Sequence, residues 1–356
     1  MRHAVIMAGG AGKRLWPLSR RSRPKQLLPV LEGKCLLELA VERARQVFDN
    51  DKIWVITNAE YAELVAETIP DLPRERIVGE PQGRDTANAI ALGAELLAAT
   101  DPEATMAVFS ADHVIRPVEK FAECVDLACN AAEEHPESLV TFGIRPSWPH
   151  TGLGYIHCGA SLEDSVFRVK GFREKPDHQT ARRYVESGQY FWNSGMFVWK
   201  VSAILDALEK NLPESKQKLE PVAEAVKQGK DYVPILEEVY PTLEKISIDF
   251  AVMEKSDDVL MVELNCEWID VGSWPALENV TDTDEGGNVV IGEATIMDSF
   301  RNVVVTQDDH LLAVLGMDDC IVVHSEDATL VCSKSDAQRL KELVNYLEKK
   351  YEGKYL

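Results

Sequence analysis

The sequence predicts an α/β fold in which a mixed, mostly parallel sheet is flanked by helices and followed by a small all-β unit and a terminal helix. The first half of the chain alternates short apolar runs with stretches of helical spacing. Such alternation is typical of a parallel sheet that is covered on both faces. After about residue 280, short strands and turns rich in Asp, Ser and Gly replace it.

The apolar runs and the helical stretches follow one another in a regular order. Strands are predicted at 3–7, 52–57, 105–109 and 138–143. Helices are predicted at 35–48, 60–69, 86–99 and 118–134. Ligands of such sheets gather at the carboxyl ends of the strands, so the segments that directly follow 3–7 and 105–109 are the first candidates for a site.

The last quarter of the chain has a different texture. Short strands are predicted at 289–291, 302–306, 311–315, 320–324 and 328–332, and a polar amphipathic helix at 335–351. We therefore predict two domains, 1–280 and 281–356.

Composition excludes several classes of partner. The 356 residues carry a formal net charge of −21, which disfavours nucleic acid and anionic membranes because both carry negative charge. No apolar run approaches the ~20 residues that span a bilayer.

The seven cysteines contain no C-x-x-C pair, which argues against a zinc site and a disulfide framework. A first strand at the amino terminus predicts no signal peptide, and we expect a cytoplasmic protein with reduced thiols.

One segment is positively charged, in contrast to the rest of the chain. Residues 8–26 read AGGAGKRLWPLSRRSRPKQ, a glycine turn followed by six basic side chains and no carboxylate. Consecutive backbone N–H groups in such a turn form a nest that holds an anion. The turn therefore predicts a polyphosphate site after strand 3–7. Its candidate backbone donors are Ala8, Gly9, Gly10 and Gly12.

Two familiar phosphate motifs do not fit this segment. A Walker A loop requires Ser or Thr after Gly-Lys, but Arg14 follows Gly12 and Lys13. Leu15 occupies the place of the third glycine of the dinucleotide fingerprint. Arg14 and Lys25 remain the side chains best suited to bring positive charge to phosphates.

The segment resembles the signature of the sugar-nucleotide pyrophosphorylases, and its Leu-Trp-Pro-Leu-Ser insert is similar to the mannose-1-phosphate guanylyltransferase branch. Further motifs follow in that family's order and extend the resemblance over roughly the first 280 residues. They are EPQGRDTANAIAL (80–92), FSADH (109–113), TGLGYI (151–156), FREKP (172–176), WNSGMF (192–197), SIDFAVMEK (247–255) and EWIDVGSW (267–274).

The resemblance implies a Rossmann-like, GT-A-like nucleotidyltransferase domain, with the β unit as a short left-handed β-helix. It also implies a partner in a second copy of the chain, as a homodimer. Members that also carry a phosphomannose isomerase domain are about a hundred residues longer, so we expect a single activity here.

The activity implied is transfer of GMP from GTP to α-D-mannose 1-phosphate, which gives GDP-mannose and pyrophosphate. The attacking phosphate oxygen is already an anion, so no protein nucleophile or strong base is required. The protein must align two polyanions and stabilise the developing charge. This calls for cations and for Mg²⁺, which prefers one or two carboxylates together with phosphate oxygens.

The family resemblance assigns the metal to Asp112, at a strand end, and to Asp270, in the turn of EWIDVGSW. An aspartate in such a place is otherwise a helix cap or turn former. We expect Arg14 to hold the pyrophosphate end of GTP and Lys25 to lie near the α-phosphate. Arg20, Arg21 and Arg23 are assigned only a general electrostatic contribution.

The sugar phosphate is assigned, again by resemblance, to residues of three motifs. Glu174 would hold sugar hydroxyls and Lys175 the phosphate, whereas a solvated surface ion pair is the alternative. Asn193 and Gly154 are carried over as further sugar contacts. An asparagine can both donate and accept hydrogen bonds, although it is otherwise simply a turn residue.

Base selection is assigned to the motif at 80–92. Guanine presents two kinds of N–H donor on one edge, which a carboxylate accepts together. We predict that Glu80 confers guanine preference and that Gly83 and Thr86, with Lys13 and the glycine turn, complete the nucleotide site. The alternative is an exposed acidic loop residue. Asp85 and Asn88 depart from the Asn and Pro that are usual there, so either could alter nucleotide selectivity.

Two alternatives to this function stay open. The same chemistry could use another nucleoside triphosphate and hexose 1-phosphate, since an inverted C2 or C4 changes only one or two hydroxyl contacts. A catalytically silent regulatory relative would be expected to lose its metal carboxylates or its signature lysine. The sequence retains Asp112, Asp270, Arg14, Lys25 and Lys175, which favours an enzyme.

Overall fold

The computed structural model describes residues 1–10, 12–31, 33–163, 165–307 and 309–356. The described chain forms two compact units that do not follow the chain in simple succession. Unit 1 comprises Met1–Gly9, Val41–Ser110 and Ile115–Glu267, and unit 2 comprises Gly10–Ala40, Ala111–Val114 and Trp268–Leu356. The boundary at residue 280 that the sequence suggests divides the chain linearly, and it stays a prediction.

The elements have the following bounds. The strands are β1 Arg2–Met7, β2 Pro29–Leu31, β3 Lys34–Cys35, β4 Ile53–Asn58, β5 Ile77–Glu80, β6 Thr105–Ser110, β7 His113–Arg116, β8 Leu139–Ile144, β9 Tyr155–Glu163, β10 Val166–Arg173, β11 Tyr190–Lys200, β12 Val259–Glu263, β13 Glu267–Asp270, β14 Val289–Ile291, β15 Ala294–Met297, β16 Val303–Thr306, β17 Leu312–Leu315, β18 Cys320–Ser325 and β19 Ala328–Ser333. The α-helices are α1 Leu36–Ala44, α2 Ala62–Thr68, α3 Asp85–Thr100, α4 Val118–Glu134, α5 His178–Ser187, α6 Val201–Asn211, α7 Pro213–Lys227, α8 Val233–Val239, α9 Ile248–Ala251 and α10 Leu340–Lys350.

Unit 1 is built on a sheet whose described part has nine strands in the order β5-β4-β1-β6-β11-β8-β12-β10-β9. The pairs β5–β4, β4–β1, β1–β6 and β8–β12 are parallel, and the remaining neighbours are antiparallel. This mixed sheet with its helices confirms the predicted fold class. Of the strands that the alternating pattern identified, β1, β4 and β6 lie side by side in parallel, and β8 pairs in parallel with β12.

The parallel strands are apolar runs because both sheet faces are covered. Every residue of β1 between its two ends is buried, and so is most of β6. In register, Met7 at the end of β1 lies beside Ser110 at the end of β6. The chain thus leaves the sheet at neighbouring points just before the glycine turn and just before Asp112, as the strand-end argument predicted.

Helix α3 is the central helix of unit 1. Most of its residues are buried, and it packs against α6, α7 and α9. Its glycine, Gly93, lies close to the sheet, since a Cβ there would be 3.1 Å from Ile56 Cδ1. The motif at 80–92 spans the end of β5 and the start of α3. Among the described residues, no helix is both long and apolar enough to cross a bilayer.

The carboxyl-terminal part of unit 2 is a stack of short parallel strands. Val289, Val303 and Ile321 align in register across β14, β16 and β18, while β15 pairs in parallel with β17. Two parallel ladders formed by successive turns of the chain are the pattern of a β-helix-like unit. Strand β15 was not predicted. The predicted terminal helix is a 3-10 segment, Lys334–Arg339, followed by α10.

Buried asparagines join neighbouring turns of this stack. Asn302 donates from its side chain to Asn288 Oδ1 (3.0 Å) and to the Met317 carbonyl (2.7 Å), and it accepts from the Cys320 N–H (2.9 Å). Its exposed fraction is 0%. Since Asn302 is buried and these hydrogen bonds are partly shielded from solvent, water does not readily replace the partners that its side chain supplies.

Replacing Asn302 by alanine should therefore destabilise the protein. The change leaves the Met317 carbonyl and the Cys320 N–H without this partner, which is expected to lower the free energy of unfolding by about 2–3 kcal/mol. Urea unfolding followed by circular dichroism measures the loss. Asn279→Ala, at an exposed asparagine, is the matched control and should change stability by less than about 0.5 kcal/mol. Equal effects of both substitutions would contradict the assigned role of Asn302.

Candidate active site

The signature loop in unit 2 folds back on itself at Gly12. This residue has φ +57°, in the left-handed region that favours glycine. A Cβ at this position would lie 2.5 Å from Lys25 Cβ and 2.7 Å from Ser19 Oγ. Any other residue at Gly12 would displace the Cβ and Cγ atoms of Lys25. The backbone at Gly12 therefore packs directly against the side chain of Lys25.

Lys25 meets Asp112 in a largely buried ion pair. Lys25 Nζ donates to Asp112 Oδ2, and the two side chains are only 15% and 17% exposed. Burial disfavours the charged ammonium, but the carboxylates of Asp112 and Asp270 outweigh that cost and raise the pKa of Lys25. Lys25 is therefore a permanently charged group beside two acidic side chains, as the predicted phosphate-binding role requires.

Three ligand groups converge around Asp112. One ligand atom from each of Asp112, His113 and Asp270 lies within 4.8 Å of the others. The two aspartates predicted as metal ligands are thus neighbours, and the Val271 N–H donates to the Asp112 carbonyl at 3.1 Å. Asp270 Oδ1 is buried and has no hydrogen-bond partner within the described residues. A carboxylate pair with an unused buried oxygen suits a hard divalent cation such as Mg²⁺.

His113 was not predicted, although it belongs to the FSADH motif. Its ring packs edge-on against Trp268 with ring centroids 4.9 Å apart, and Nε2 lies 3.8 Å from Asp112 Oδ1. The adjacent position in the sequence was the only signal that could have identified it. The packing orients His113 next to the carboxylate.

Arg14 also approaches the aspartates. Its Nη1 donates to Gln338 Oε1 at 3.0 Å. A Cβ on Gly272 would be 3.2 Å from both Arg14 Nη2 and Asp270 Oδ1. The absence of a side chain at Gly272 therefore lets the guanidinium and the carboxylate approach the same point. Gly272 is part of EWIDVGSW, but sequence reasoning gave it no role.

Several other basic residues of the signature have partners in the carboxyl-terminal part of unit 2. Glu348 accepts from Lys13 at 3.1 Å and from Arg21 at 2.5 Å, and the pKa of its carboxyl is lowered chiefly by the hydrogen bond from Lys13. Arg20 donates to the Tyr355 carbonyl and to Asp327, both at 2.5 Å. These contacts bind the signature loop to the carboxyl-terminal residues of the chain. The sequence had assigned Arg20 and Arg21 only a general electrostatic contribution and did not predict these contacts.

In unit 1, Glu80 is buried at the end of β5. Tyr240 donates a hydrogen bond from its hydroxyl to Glu80 Oε1, and Glu80 is only 5% exposed. The second oxygen, Oε2, faces Gly9, because a Cβ on Gly9 would lie 3.3 Å from it. Burial raises the pKa of Glu80 to about 7, although the hydrogen bond from Tyr240 opposes the rise. Glu80 is thus not the exposed loop residue of the alternative interpretation.

The segment 240–249 runs along the motif that contains Glu80 and holds it in place. The Ile248 N–H donates to Thr86 Oγ1 at 2.9 Å, and the Ala87 N–H donates to the Ile246 carbonyl at 3.2 Å. Arg84 donates to the Pro241 carbonyl. The conformation of the predicted base-binding motif therefore depends on a segment more than a hundred residues away in sequence. Gly83, in the same motif, is exposed.

The two unusual residues of this motif have structural explanations. Asn88 donates from Nδ2 to the Arg84 carbonyl at 3.1 Å and to the Glu244 carbonyl at 2.7 Å, bonds that a proline side chain could not make. Asp85 has φ +68° and accepts from the Thr86 N–H at 2.9 Å. Aspartate, like asparagine, tolerates this left-handed conformation. Both departures are thus compatible with the local backbone.

The residues predicted to hold the sugar lie together in unit 1. The Asn193 N–H donates to the Gly154 carbonyl at 2.8 Å. A Cβ on Gly154 would lie 2.7 Å from Glu174 Oε2, so glycine is required for the carboxylate to approach. Lys175 donates to Glu174 Oε1 and is 60% exposed. The three motifs that supply these residues are therefore brought to one place by the sheet.

Sequence reasoning missed Asp249, which belongs to this group. Asn193 donates from Nδ2 to Asp249 Oδ1 at 2.7 Å, and Asn193 Oδ1 accepts from the Gly195 N–H at 3.1 Å. Both ends of the Asn193 amide thus already have protein partners. Burial raises the pKa of the Asp249 carboxyl, and the charge of Glu174 adds to the rise. Asp249 ends the segment 240–249, so this segment reaches both predicted binding regions of unit 1.

Two family models match the chain. The nucleotidyl transferase model matches residues 3–287. A model described as the mannoseP isomerase/GMP-like beta-helix domain matches residues 292–347. The first covers well over half of the chain, and the second covers β15 to β19 and part of α10 in unit 2.

Similar proteins extend over nearly the whole chain. A mannose-1-phosphate guanylyltransferase of Klebsiella pneumoniae is 38% identical over 99% of this chain and 75% of its own length. One from Escherichia coli is 37% identical with the same coverage. The crystal structure of a protein described as a mannose-1-phosphate geranyltransferase from Thermus thermophilus is 37% identical, with a TM-score of 0.86 over 98% of this chain and 99% of that chain.

The cluster around Asp112 predicts that the protein binds a divalent cation through Asp270. Removing one carboxylate charge with Asp270→Asn should weaken Mn²⁺ binding at least ~10-fold, measured by electron paramagnetic resonance of free Mn²⁺. Asp282→Asn, at an exposed aspartate, is the control and should leave the affinity unchanged. Equal Mn²⁺ affinity of the Asp270→Asn variant and the unmodified protein would show that this cluster is not the cation site.

Proposed function

Because the chain belongs to the nucleotidyl transferase family and is related throughout to mannose-1-phosphate guanylyltransferases, we propose that it transfers GMP from GTP to α-D-mannose 1-phosphate, giving GDP-mannose and pyrophosphate. It is a nucleotidyltransferase, and its relatives support GMP transfer to a sugar phosphate. The observation that carries the finer assignment is 38% identity over 99% of the chain. The convergence of Lys25, Asp112 and Asp270 independently supports the reaction type, transfer of a nucleotidyl group with a divalent cation, but not the choice of base or sugar.

The chain's own residues supply charge and position. In the proposed reaction a phosphate oxygen of the sugar attacks the α-phosphorus of GTP, and pyrophosphate leaves. Lys25 neutralises charge that develops at the α-phosphate, and Arg14 holds the departing pyrophosphate. The raised pKa of Lys25 keeps its ammonium protonated throughout the physiological range. Lys13 and the backbone of the glycine turn are assigned to the remaining phosphate oxygens.

Asp112 and Asp270 are the residues that would hold Mg²⁺, and the buried, unused oxygen of Asp270 fits that assignment. When bound, the ion supplies charge that polarises phosphate oxygens and orients them for displacement. His113 stays outside the proposed ligand set because Mg²⁺ prefers oxygen ligands.

The two other binding functions are assigned to unit 1. Glu174, Asp249 and Gly154 would surround the sugar hydroxyls, with Asn193 orienting Asp249, and Lys175 would pair with the sugar's phosphate. Glu80 would read the guanine edge, and Gly83 and Thr86 would line the base. Asp249 is added to the set that the sequence predicted, since its carboxylate shares a hydrogen bond with Asn193.

Each alternative function differs from the proposed one in a single measurable property. Another pair of nucleotide and hexose phosphate would keep the phosphate and metal residues but change the preferred substrates. A silent relative would release no pyrophosphate. A homodimer and a cytoplasmic location stay predictions, as does the absence of nucleic-acid and membrane partners.

Pyrophosphate release tests the proposed reaction directly. With Mg²⁺ present, GTP, ATP, dTTP and UTP are crossed with mannose 1-phosphate and glucose 1-phosphate, and we expect fast release only from GTP with mannose 1-phosphate. Fast release from another pair would overturn the substrates but keep the reaction type. No release from any pair would favour the regulatory alternative.

Lys25→Ala tests the phosphate assignment. An oriented donor to a developing anion contributes about 3–4 kcal/mol to the barrier, so turnover should fall at least about a hundredfold. Steady-state kinetics and a thermal melt are measured together, with the exposed Lys341→Ala as control. A fall smaller than about tenfold in a folded variant would reduce Lys25 to a structural residue.

Glu80→Gln tests base recognition. A carboxylate accepts both guanine donors, whereas an amide presents one donor and one acceptor and so matches adenine better. The ratio of kcat/KM for GTP to that for ATP should fall at least tenfold, with an expected size of about 10²-fold or more, since buried polar mismatches are costly. Glu60→Gln, at an exposed glutamate, is the control. An unchanged ratio would remove Glu80 from base selection.

A further inference from the structure

The hydrogen bond between Tyr240 and Glu80 has a consequence for base selection. We propose that Tyr240 is a specificity-positioning residue, whose hydroxyl holds Glu80 in the ionised form that selects a guanine nucleotide over an adenine nucleotide. This inference rests on the proposed use of GTP and deepens it. Tyr240 lies 160 residues from Glu80 in sequence, and no motif pointed to it.

The hydrogen-bonding capacity of a carboxyl group changes with its ionisation. An ionised carboxylate is acceptor-only, whereas a protonated one has one O–H donor and one acceptor oxygen. The base-pairing edge of guanine offers two adjacent N–H donors, N1–H and the N2 amino group. That of adenine offers one acceptor, N1, beside one donor, the N6 amino group. The ionised form of Glu80 is thus complementary to guanine, and the protonated form to adenine.

The surroundings of Glu80 leave its charge state finely balanced. Burial and the negative charge of Asp85 favour the protonated form, whereas the hydrogen bond from Tyr240 favours the ionised form. The resulting pKa is raised to about 7. Burial, together with the carboxylate, also raises the pKa of Tyr240 well above its ordinary value, and Arg84 opposes that rise. Tyr240 therefore stays a hydroxyl donor at neutral pH.

The geometry assigns different tasks to the two oxygens of Glu80. Oε1 accepts the hydrogen bond from Tyr240, and Oε2 faces Gly9, an exposed residue at the start of the glycine turn. Tyr240 is itself fully buried and directly follows the last residue of helix α8. Its neighbour Pro241 accepts from Arg84 of the Glu80 motif. The backbone around Tyr240 therefore holds the phenol against Oε1 of Glu80. The second oxygen of Glu80, Oε2, points toward Gly9.

Equilibrium binding tests the inference separately from catalysis. Dissociation constants of GTP and of ATP, each with Mg²⁺ and without sugar phosphate, are measured by calorimetry between about pH 6 and pH 9. The ratio of the two constants is used because titration of the triphosphate affects both nucleotides equally. In the unmodified protein, preference for GTP should increase with pH through a midpoint near the pKa of Glu80.

Tyr240→Phe should move that midpoint to higher pH, because it removes the hydrogen bond that favours the ionised carboxylate. A rise of about one pH unit lowers the ionised fraction at neutral pH roughly fivefold and raises the protonated fraction roughly twofold, so the GTP-to-ATP preference should fall about tenfold. Glu80→Gln should give a low preference that does not depend on pH. Tyr232→Phe is the matched control, since Tyr232 lies at the other end of α8, and it should retain the original midpoint.

Each contrary outcome has a defined meaning. A pH-independent preference in the unmodified protein overturns the inference without any variant, so the test stands even if Tyr240→Phe does not fold. A folded Tyr240→Phe variant with the original midpoint but a lower melting temperature shows a purely structural role and overturns it as well. Pyrophosphate release that fails while the binding ratio shifts as expected would instead overturn the proposed reaction and leave the inference standing.

Discussion

The ion pair between Lys25 and Asp112 is the interaction on which the proposed phosphate site depends. It joins the signature loop to the segment that follows β6, and the second carboxylate, Asp270, comes from a third segment. Two acidic groups this close repel each other, and a buried cation is the physical means of keeping them together. Gly12 makes this possible because only a residue without a side chain leaves room for the stem of Lys25. A strongly acidic chain thereby contains a local site suited to polyanions.

A second constraint organises unit 1. The segment 240–249 bonds to the motif around Glu80 at one end and to Asn193 at the other. Base selection and sugar binding, as proposed, would therefore share one length of backbone. Burial raises the pKa of a carboxyl at each end, Glu80 and Asp249. The local environment, and not residue type alone, sets the charge that each of these carboxylates brings to a ligand.

The proposed chemistry explains why so few protein groups need to be reactive. The attacking oxygen and the leaving group both belong to substrates, so the protein contributes charge, orientation and selection. The side chains of the signature divide accordingly. Lys25 and Arg14 lie beside the aspartates, whereas Lys13, Arg20 and Arg21 bind the carboxyl-terminal part of unit 2. The density of basic residues in the signature thus serves the packing of the loop as well as the proposed ligand site.

The sequence by itself determined β1, β4, β6 and β8 with the helices α1 to α4, the glycine turn, and the order of the motifs, because periodicity and residue type are local properties. It did not identify the short strands β2, β3, β5 and β7. It also predicted that the strands preceding Asp112 and the glycine turn end side by side, since parallel strands share their carboxyl ends. Only the tertiary structure identified Tyr240 and Asp249, because their partners lie 160 and 56 residues away. The tertiary structure also revealed the strand β15, in which every second residue is exposed and none is fully buried. It likewise revealed the partners of Lys13. Contacts between distant segments depend on how the whole chain packs, and no local pattern encodes them.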